Sequence, residues 1–171
     1  MIKILGQGRF LRLVDDGSWE YTERVNSSGV VVIVPVTDAG ELVLVEQYRH
    51  PLKARVLELP AGLAGDKKEF ADEAFELAAA RELEEETGYK ATAMKFLSSG
   101  PSAAGSSNTI IHFYLATGLL KTGPGGGDAH EDIEVHLVPL KEVPAFATAR
   151  EAQGRLVDPK LFAGLYFALQ R

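Results

Sequence analysis

Cysteine is absent from this chain of 171 residues. Its absence excludes a disulfide scaffold and argues against structural zinc sites, which usually use cysteine thiolates. No apolar run approaches the roughly 20 residues that a membrane-spanning helix needs. The first residues, MIKILGQGRFLRL, lack the unbroken apolar segment of a signal peptide. We therefore expect a cytoplasmic protein that has no membrane partner.

An excess of positive charge is also missing. Lys and Arg number 18 against 24 Asp and Glu, which gives a net charge of −6 at pH 7. Nucleic-acid binding needs a basic face that neutralises phosphates, so DNA and RNA are not expected partners. A small phosphorylated ligand remains compatible with this charge if a metal ion supplies the positive charge. The hydrophobic fraction of 46% is typical of a globular domain.

The hydrophobic pattern predicts strands at the start of the chain. Short runs at 2–13 and 18–25 flank a turn and predict an N-terminal antiparallel hairpin. Residues 29–36 (GVVVIVPV) are typical of a strand buried on both faces. Residues 41–49 predict the second strand of another hairpin. Further strands are predicted at 56–59, 92–99, 109–116 and 133–140.

Two helices are predicted between and after these strands. Residues 69–87 contain no Gly or Pro and are rich in Ala, Glu and Leu, and Gly88 follows where a left-handed cap belongs. Asp158 and Pro159 predict the start of a C-terminal helix. The order of elements favours an α+β class. We divide the chain into a hairpin region at 1–28 and a main domain at 29–171.

Three glutamates in the first predicted helix carry the strongest chemical signal. Glu82 stands three residues before Glu85 and four residues before Glu86. On a helix these spacings place all three side chains on one side. Like charges at this spacing repel unless a cation lies among them, and carboxylate oxygens suit Mg²⁺ or Mn²⁺. A solvated acidic helix face is the alternative interpretation.

The surrounding residues resemble the Nudix box, G-x5-E-x7-R-E-U-x-E-E-x-G-U. Residues 81–88 (RELEEETG) match its second half, and Glu73 matches its first glutamate. Residues 45–49 (VEQYR) and 58–62 (ELPAG) are similar to the strands that precede the box in Nudix enzymes acting on nucleoside diphosphate sugars, including the ADP-ribose pyrophosphatases. Lys67 stands where the box begins with glycine. The resemblance implies an α/β/α sandwich with a mixed central sheet and an N-terminal antiparallel hairpin.

The resemblance also implies the metal ligands. Glu82, Glu85 and Glu86 are assigned to a divalent ion, Mg²⁺ or Mn²⁺, and the backbone carbonyl of Ala61 is assigned as a further ligand. Glu73 and Arg81 match box positions for which we expect structural roles, Arg81 by orienting carboxylates through bidentate hydrogen bonds.

A general base is required to deprotonate the attacking water. Residues 130–134 follow a Gly-rich loop. In ADP-ribose-type Nudix enzymes an acidic residue of the corresponding loop serves as base or as an extra metal ligand, and by this resemblance we assign Glu131 as the base; a plain surface charge is the alternative interpretation. Glu134 is the second candidate, although it could equally be an exposed residue of the following strand. If neither acts, Glu85 is the first candidate among the helix carboxylates.

The substrate contacts complete the prediction. By resemblance Arg49 contacts the diphosphate or the terminal sugar, and the alternative is an exposed residue at a strand end without a functional role. Glu58 is expected to hydrogen-bond a ribose or to link to Arg49. Trp19 is expected to stack on a nucleobase, or to pack in the hairpin or a dimer interface. Because isolated hairpins are marginally stable in water, we expect a homodimer. None of the four histidines has the spacing of a metal ligand.

The predicted function is metal-dependent hydrolysis of a nucleoside diphosphate sugar, such as ADP-ribose or GDP-mannose, to a nucleoside monophosphate and a sugar phosphate. One alternative is the same chemistry on a nucleoside triphosphate or a dinucleoside polyphosphate. The other is a nucleotide-binding Nudix module without catalysis, which the complete set of box glutamates disfavours.

Overall fold

The structure is a computed structural model that describes residues 2–65, 72–127 and 132–170. It consists of eleven described strands and three described helices. Among the helices of these ranges, none is long and apolar enough to cross a membrane.

The N-terminal region forms its own antiparallel sheet. Its three strands lie in the order β1-β2-β3 and comprise Lys3–Gln7, Leu11–Asp15 and Glu20–Arg24. The stretch 2–13, predicted as one strand, is two strands joined by a turn in which the Gly8 N–H donates to the Leu11 carbonyl. The antiparallel character is therefore confirmed, with one more strand than the hairpin expected from sequence.

The remaining strands form two four-stranded sheets in the orders β7-β4-β9-β8 and β10-β5-β6-β11. Strands β4 and β9 pair in parallel, as do β6 and β11, and the other pairs are antiparallel. The predicted mixed arrangement is thus confirmed. The strands are β4 (Gly29–Pro35), β5 (Glu41–Arg49), β6 (Ala54–Glu58), β7 (Ala61–Ala64), β8 (Tyr89–Pro101), β9 (Ile110–Lys121), β10 (Ile133–Pro139) and β11 (Leu156–Val157).

The three helices are α1 (Phe75–Thr87), α2 (Val143–Ala152) and α3 (Lys160–Leu169). The helix predicted at 69–87 begins at Phe75, and part of the predicted range, together with Lys67, lies outside the described residues. Gly88 ends α1 in the left-handed conformation, with φ of 69°, as predicted. Sequence analysis missed α2 because its proline, which stands at the first turn, was not recognised as a helix start.

Strand β4 separates the two parts of the hydrophobic core. Val31 and Ile33 pack in one cluster with Leu83 of α1, whereas Val32 and Val34 belong to a cluster that includes residues of α2 and α3. Side chains alternate between the faces of a strand, so β4 is buried on both faces, as its apolar run predicted. Helices thus cover the sheets from two sides.

Candidate functional site

Helix α1 presents the box glutamates along one side. Glu82, Glu85 and Glu86 lie in its last two turns, and the helix ends at Thr87, where the Gly88 N–H donates to the Glu84 carbonyl. Glu86 is almost fully buried, with 3% of its surface exposed, whereas the Glu85 side chain is 44% exposed. One carboxylate is therefore fixed within the protein while its neighbour faces solvent.

Arg81 connects several carboxylates of this region. Its Nη2 is 3.1 Å from Glu73, and its Nη1 is 2.7 Å from Glu82 and 3.4 Å from Glu85. Nη2 also donates to the Leu63 carbonyl, which ties the helix to β7. Burial lowers the pKa of Arg81, but hydrogen bonds and ion pairs with Glu73 and Glu82 outweigh burial and raise it. One guanidinium balances at most one of the three carboxylates that it contacts.

Strand β7 passes close to the same carboxylates. The Ala61 N–H donates to Glu86 Oε2 at 3.1 Å. At Gly62 an added Cβ would lie 1.9 Å from the Glu82 carboxyl carbon, so only glycine allows the backbone to approach this closely. The backbone of residues 61–62 therefore lies beside two of the predicted metal ligands.

Arg49 and Glu58 form the second element of the site. They lie on the neighbouring strands β5 and β6, and the guanidinium holds the carboxylate through two hydrogen bonds, Nε–Oε1 of 2.8 Å and Nη2–Oε2 of 2.5 Å. Glu58 is 7% exposed. The link between them that the sequence suggested is thus present in the structure.

A cleft of about 910 Å³ brings these groups together. One part of its wall comes from β3, β4 and the β8–β9 region, and another comes from the β5–β6 turn, β6 and the segment before α3. A volume of this size accommodates a nucleotide-sized ligand. Six predicted site residues line it, namely Arg49, Glu58, Ala61, Glu82, Glu85 and Glu86.

Two other predicted residues lie away from this cleft. Trp19 precedes β3, is 59% exposed, and donates its indole N–H to the Gly105 carbonyl at 2.8 Å. It is not among the residues that line the cleft. Glu134 lies opposite Glu46 in the β5–β10 pairing, whereas Glu58 lies opposite Val45. Side-chain alternation therefore places Glu134 on the other face of the sheet from Glu58.

Glu131 lies outside the described residues. The described segment before it, residues 124–127, is fastened to the end of α1. The Gly126 N–H donates to the Glu86 carbonyl at 2.8 Å, and the Gly127 N–H donates to the Glu85 carbonyl at 3.0 Å. The last described residues before Glu131 in the chain therefore lie beside the backbone of Glu85 and Glu86.

Arg24 is a cleft residue that sequence analysis missed. It ends β3 and lines both the main cleft and an adjoining pocket of about 270 Å³. Its Nε is buried, and the described residues provide no hydrogen-bond partner for it. Burial lowers the pKa of Arg24. The neighbouring carboxylate of Glu23 is engaged by Arg12 and Asn108 instead, so Arg24 has a donor available for a ligand.

Comparisons with known proteins agree with this arrangement. Residues 27–158 match the NUDIX domain family. The chain is 37% identical over 170 residues to the methanol dehydrogenase activator of Bacillus methanolicus. The aligned region covers 95% of this chain and 88% of that protein. It is 37% identical over 144 residues to the ADP-ribose pyrophosphatase of Mycobacterium tuberculosis, covering 84% of this chain and 66% of the relative.

A further relative and a solved structure extend the comparison. The ADP-ribose pyrophosphatase of Bacillus subtilis is 34% identical over 137 residues, covering 80% of this chain and 71% of the relative. A crystal structure described as an ADP compounds hydrolase superposes with a TM-score of 0.71 at 19% identity, over 99% of this chain and 90% of the other. At that identity the superposition shows a shared fold.

Proposed function

The chain belongs to the NUDIX domain family and is a Nudix pyrophosphohydrolase, and we propose that its substrate is a nucleoside diphosphate sugar such as ADP-ribose or GDP-mannose. Hydrolysis splits the diphosphate bond. The oxygen of water joins one phosphorus, and the products are a nucleoside monophosphate and a sugar phosphate. The observation that carries this proposal is the single cleft that gathers the α1 carboxylates with Arg24 and Arg49. Two relatives named as ADP-ribose pyrophosphatases support the same substrate class.

The proposed cofactor is Mg²⁺ or Mn²⁺, held by Glu82, Glu85, Glu86 and the Ala61 carbonyl. The donor set fits a hard dication, because it consists of oxygen atoms, and the glycine at position 62 lets the strand approach Glu82. When bound, such an ion lowers the pKa of water and stabilises charge on phosphoryl oxygens. Arg81 orients Glu82 and Glu85 by its ion pairs.

A carboxylate is proposed to act as the general base that accepts a proton from the attacking water. Glu131 remains our first choice, since the chain enters its segment beside Glu85 and Glu86. Glu85 is the alternative, because its side chain is 44% exposed and lines the cleft. The position of Glu134 on the opposite sheet face makes it the less favourable candidate.

Arginine side chains are proposed to hold the diphosphate end of the substrate. Arg49 is orientated by its bidentate pair with Glu58, and Arg24 offers a buried N–H that lacks a partner among the described residues. A buried unsatisfied donor costs about 1–3 kcal/mol, so an acceptor from the ligand would relieve this cost. Guanidinium groups match phosphate oxygens in geometry and charge.

A homodimer is proposed to complete the base-binding end. The N-terminal sheet exposes large apolar side chains that include Phe10, at 63%, and Trp19, at 59%. Burial of these groups against a second copy would remove them from water and could bring Trp19 to the partner's cleft. Sedimentation of the active protein tests this, and a fully active monomer at micromolar concentration would contradict it. The cytoplasmic location expected from sequence stays a prediction.

The deciding experiment is a substrate panel with Mg²⁺. ADP-ribose, GDP-mannose, ATP and diadenosine tetraphosphate are incubated with the protein, and products are separated by ion-exchange chromatography. We expect a nucleotide sugar to give the highest kcat/KM, with a nucleoside monophosphate as product. Preferred hydrolysis of ATP or the dinucleoside polyphosphate would replace the proposal by the alternative substrate class. Nucleotide binding without turnover would indicate a non-catalytic module.

A further inference from the structure

A second group of charged side chains lies across the sheet from the cleft. Glu46 of β5 lies opposite Leu57 in the β5–β6 pairing, one residue out of phase with the Val45–Glu58 pair. Because side chains alternate, Glu46 and Glu58 occupy opposite faces. Glu46 has no exposed surface. A fully buried carboxylate is costly unless it is paired, so its partners are informative.

The two oxygens of Glu46 have different surroundings. Oε1 accepts hydrogen bonds from Arg55 Nε at 3.0 Å and Arg155 Nε at 2.9 Å. Oε2 is buried and has no hydrogen-bond partner among the described residues. His136 Nε2 lies 3.8 Å from it and is likewise buried without a partner in the described chain. Two polar atoms therefore face each other at a distance too long for a hydrogen bond.

A third donor atom completes the group. Glu134 Oε1 is 3.7 Å from His136 Nε2, and the donor atoms of Glu46, Glu134 and His136 all lie within 4.8 Å of one another. Two ligands about 2.1 Å from a tetrahedral zinc ion are about 3.4 Å apart. The two separations from His136 Nε2, 3.8 Å to Glu46 Oε2 and 3.7 Å to Glu134 Oε1, are within about 0.4 Å of this value. We propose that Glu46, Glu134 and His136 bind a transition-metal dication of the zinc class.

The donor set explains why this site differs from a magnesium site. Imidazole nitrogen suits zinc, nickel and copper, whereas Mg²⁺ prefers oxygen ligands and retained waters. Burial lowers the pKa of His136, so the ring is neutral at pH 7. Burial raises the pKa of Glu46, but hydrogen bonds from Arg55 and Arg155 outweigh it, so this carboxylate is ionised.

The arginines around Glu46 have separate roles. Arg55 and Arg155 bond Oε1 and thereby orient Oε2 towards His136. Arg150 Nε is 3.7 Å from Oε2, while its Nη1 donates to Gln153. The positive charges of Arg55, Arg150 and Arg155 oppose an incoming dication, and the carboxylates of Glu46 and Glu134 offset part of them; Arg150 is the arginine that approaches Oε2 itself. Removing this charge with Arg150→Gln should therefore tighten metal binding.

The test is a Zn²⁺ titration of the EDTA-treated protein in excess Mg²⁺, which saturates oxygen-only sites. We expect one Zn²⁺ per chain, measured by competition with a chromogenic chelator, together with a rise in Tm. His136→Gln should weaken binding by at least about 10–100-fold and leave Mg²⁺-dependent hydrolysis unchanged. If His136→Gln does not fold, Glu134→Gln should weaken Zn²⁺ binding in the same titration, and its exposed side chain, at 56%, makes the substitution compatible with folding.

Two control variants separate this site from other Zn²⁺ ligands. His50→Gln changes an exposed histidine and should leave the affinity unchanged. Glu86→Gln alters the catalytic carboxylates and should also retain the site. Absence of Zn²⁺ binding, unchanged affinity in His136→Gln and Glu134→Gln, or loss of the site in Glu86→Gln would each overturn the proposal.

Discussion

Arginine side chains form ion pairs with carboxylates at two places in this protein. At one place a single arginine contacts three carboxylates, whereas at the other three arginines surround one carboxylate. In the helix cluster, one guanidinium, that of Arg81, contacts Glu73, Glu82 and Glu85. In the sheet cluster, a single carboxylate, that of Glu46, lies beside three guanidinium groups, which belong to Arg55, Arg150 and Arg155. The same residue types therefore produce two different electrostatic environments.

This difference corresponds to different uses of charge. Arg81, Glu82 and Glu85 of the helix cluster line the cleft together with Glu86, which we count with this cluster, so these carboxylates are available to a hydrated cation that also binds substrate phosphates. The sheet cluster surrounds a carboxylate that has no exposed surface, so the arginines stabilise it in the protein interior. We therefore expect substitutions in the helix cluster to change catalysis and substitutions in the sheet cluster to change stability.

The largest effect is expected for Glu86→Gln in the helix cluster. The substitution removes an anionic ligand but keeps the shape and the acceptor for the Ala61 N–H. We expect kcat to fall about 10³-fold, a change of about 4 kcal/mol in the activation free energy. The measurement is steady-state hydrolysis of the best substrate at saturating Mg²⁺.

The matched control is Glu84→Gln on the same helix. Glu84 contacts Lys90 and Thr122 and does not line the cleft. Its substitution should leave kcat within about twofold, because surface ion pairs contribute little. Equal losses in the two variants would mean that the effect of Glu86 is structural.

The next largest effect is expected for Glu46→Gln in the sheet cluster. The substitution leaves guanidinium groups beside a neutral amide, and removal of one partner from a buried ion pair costs about 3–5 kcal/mol. We expect the free energy of unfolding in urea to fall by about 3 kcal/mol. Glu41→Gln, a partly buried residue of the same strand, is the control and should be nearly silent. A stable Glu46→Gln protein without activity would reverse the assignment of roles.

A smaller effect is expected when Arg81 is replaced by lysine. Lysine keeps the positive charge but loses the planar group that contacts Glu73, Glu82 and Glu85 at once. We expect the Mg²⁺ concentration for half-maximal activity to rise about 10–100-fold, with a recovery of kcat at high Mg²⁺. Arg12→Lys, which alters the Arg12–Glu23 pair of the N-terminal sheet, is the control. An unchanged Mg²⁺ dependence in Arg81→Lys would contradict an orienting role.

The smallest effect concerns pH and the start of helix α1. The His112 ring stacks on Phe75, with centroids 4.0 Å apart, and burial lowers the pKa of His112 below 6.5. The unfolded chain then binds the proton first as the pH falls, so the stability that His112 contributes is lost below pH 6.5. A plot of Tm against pH should fall less steeply in this window for His112→Phe. The same slope in both proteins would exclude this contribution.

Sequence analysis found the helix cluster because its residues are close together in the chain. Glu82, Glu85 and Glu86 follow the helical repeat, and the box adds Glu73 and Arg81. Helix geometry converts such short spacings into neighbouring side chains without any knowledge of the rest of the fold. The pairing of Arg49 with Glu58 was suggested by resemblance and is present in the structure.

Residues that approach through strand pairing were not predictable in this way. His136 meets Glu46 because β10 pairs with β5, although the two residues are far apart in the chain. Arg24 reaches the cleft because the N-terminal sheet contacts the β8–β9 region, where the Thr22 N–H donates to the Ser106 carbonyl. The sequence of β3 resembles an exposed strand, so it contained no signal for Arg24. Such contacts depend on topology that local patterns do not specify.

The alternation of charge along β5 also has a consequence for folding. Glu46 and Arg49 belong to opposite faces, and each forms ion pairs only with the residues that face it in the present pairing. A slip of one residue between β5 and β6 would turn Glu46 towards the cleft and Arg49 towards the opposite face. Both sets of ion pairs would break together, and buried charges would be left without counter-ions. Misaligned pairings of this central strand are therefore disfavoured during folding by electrostatics as well as by packing.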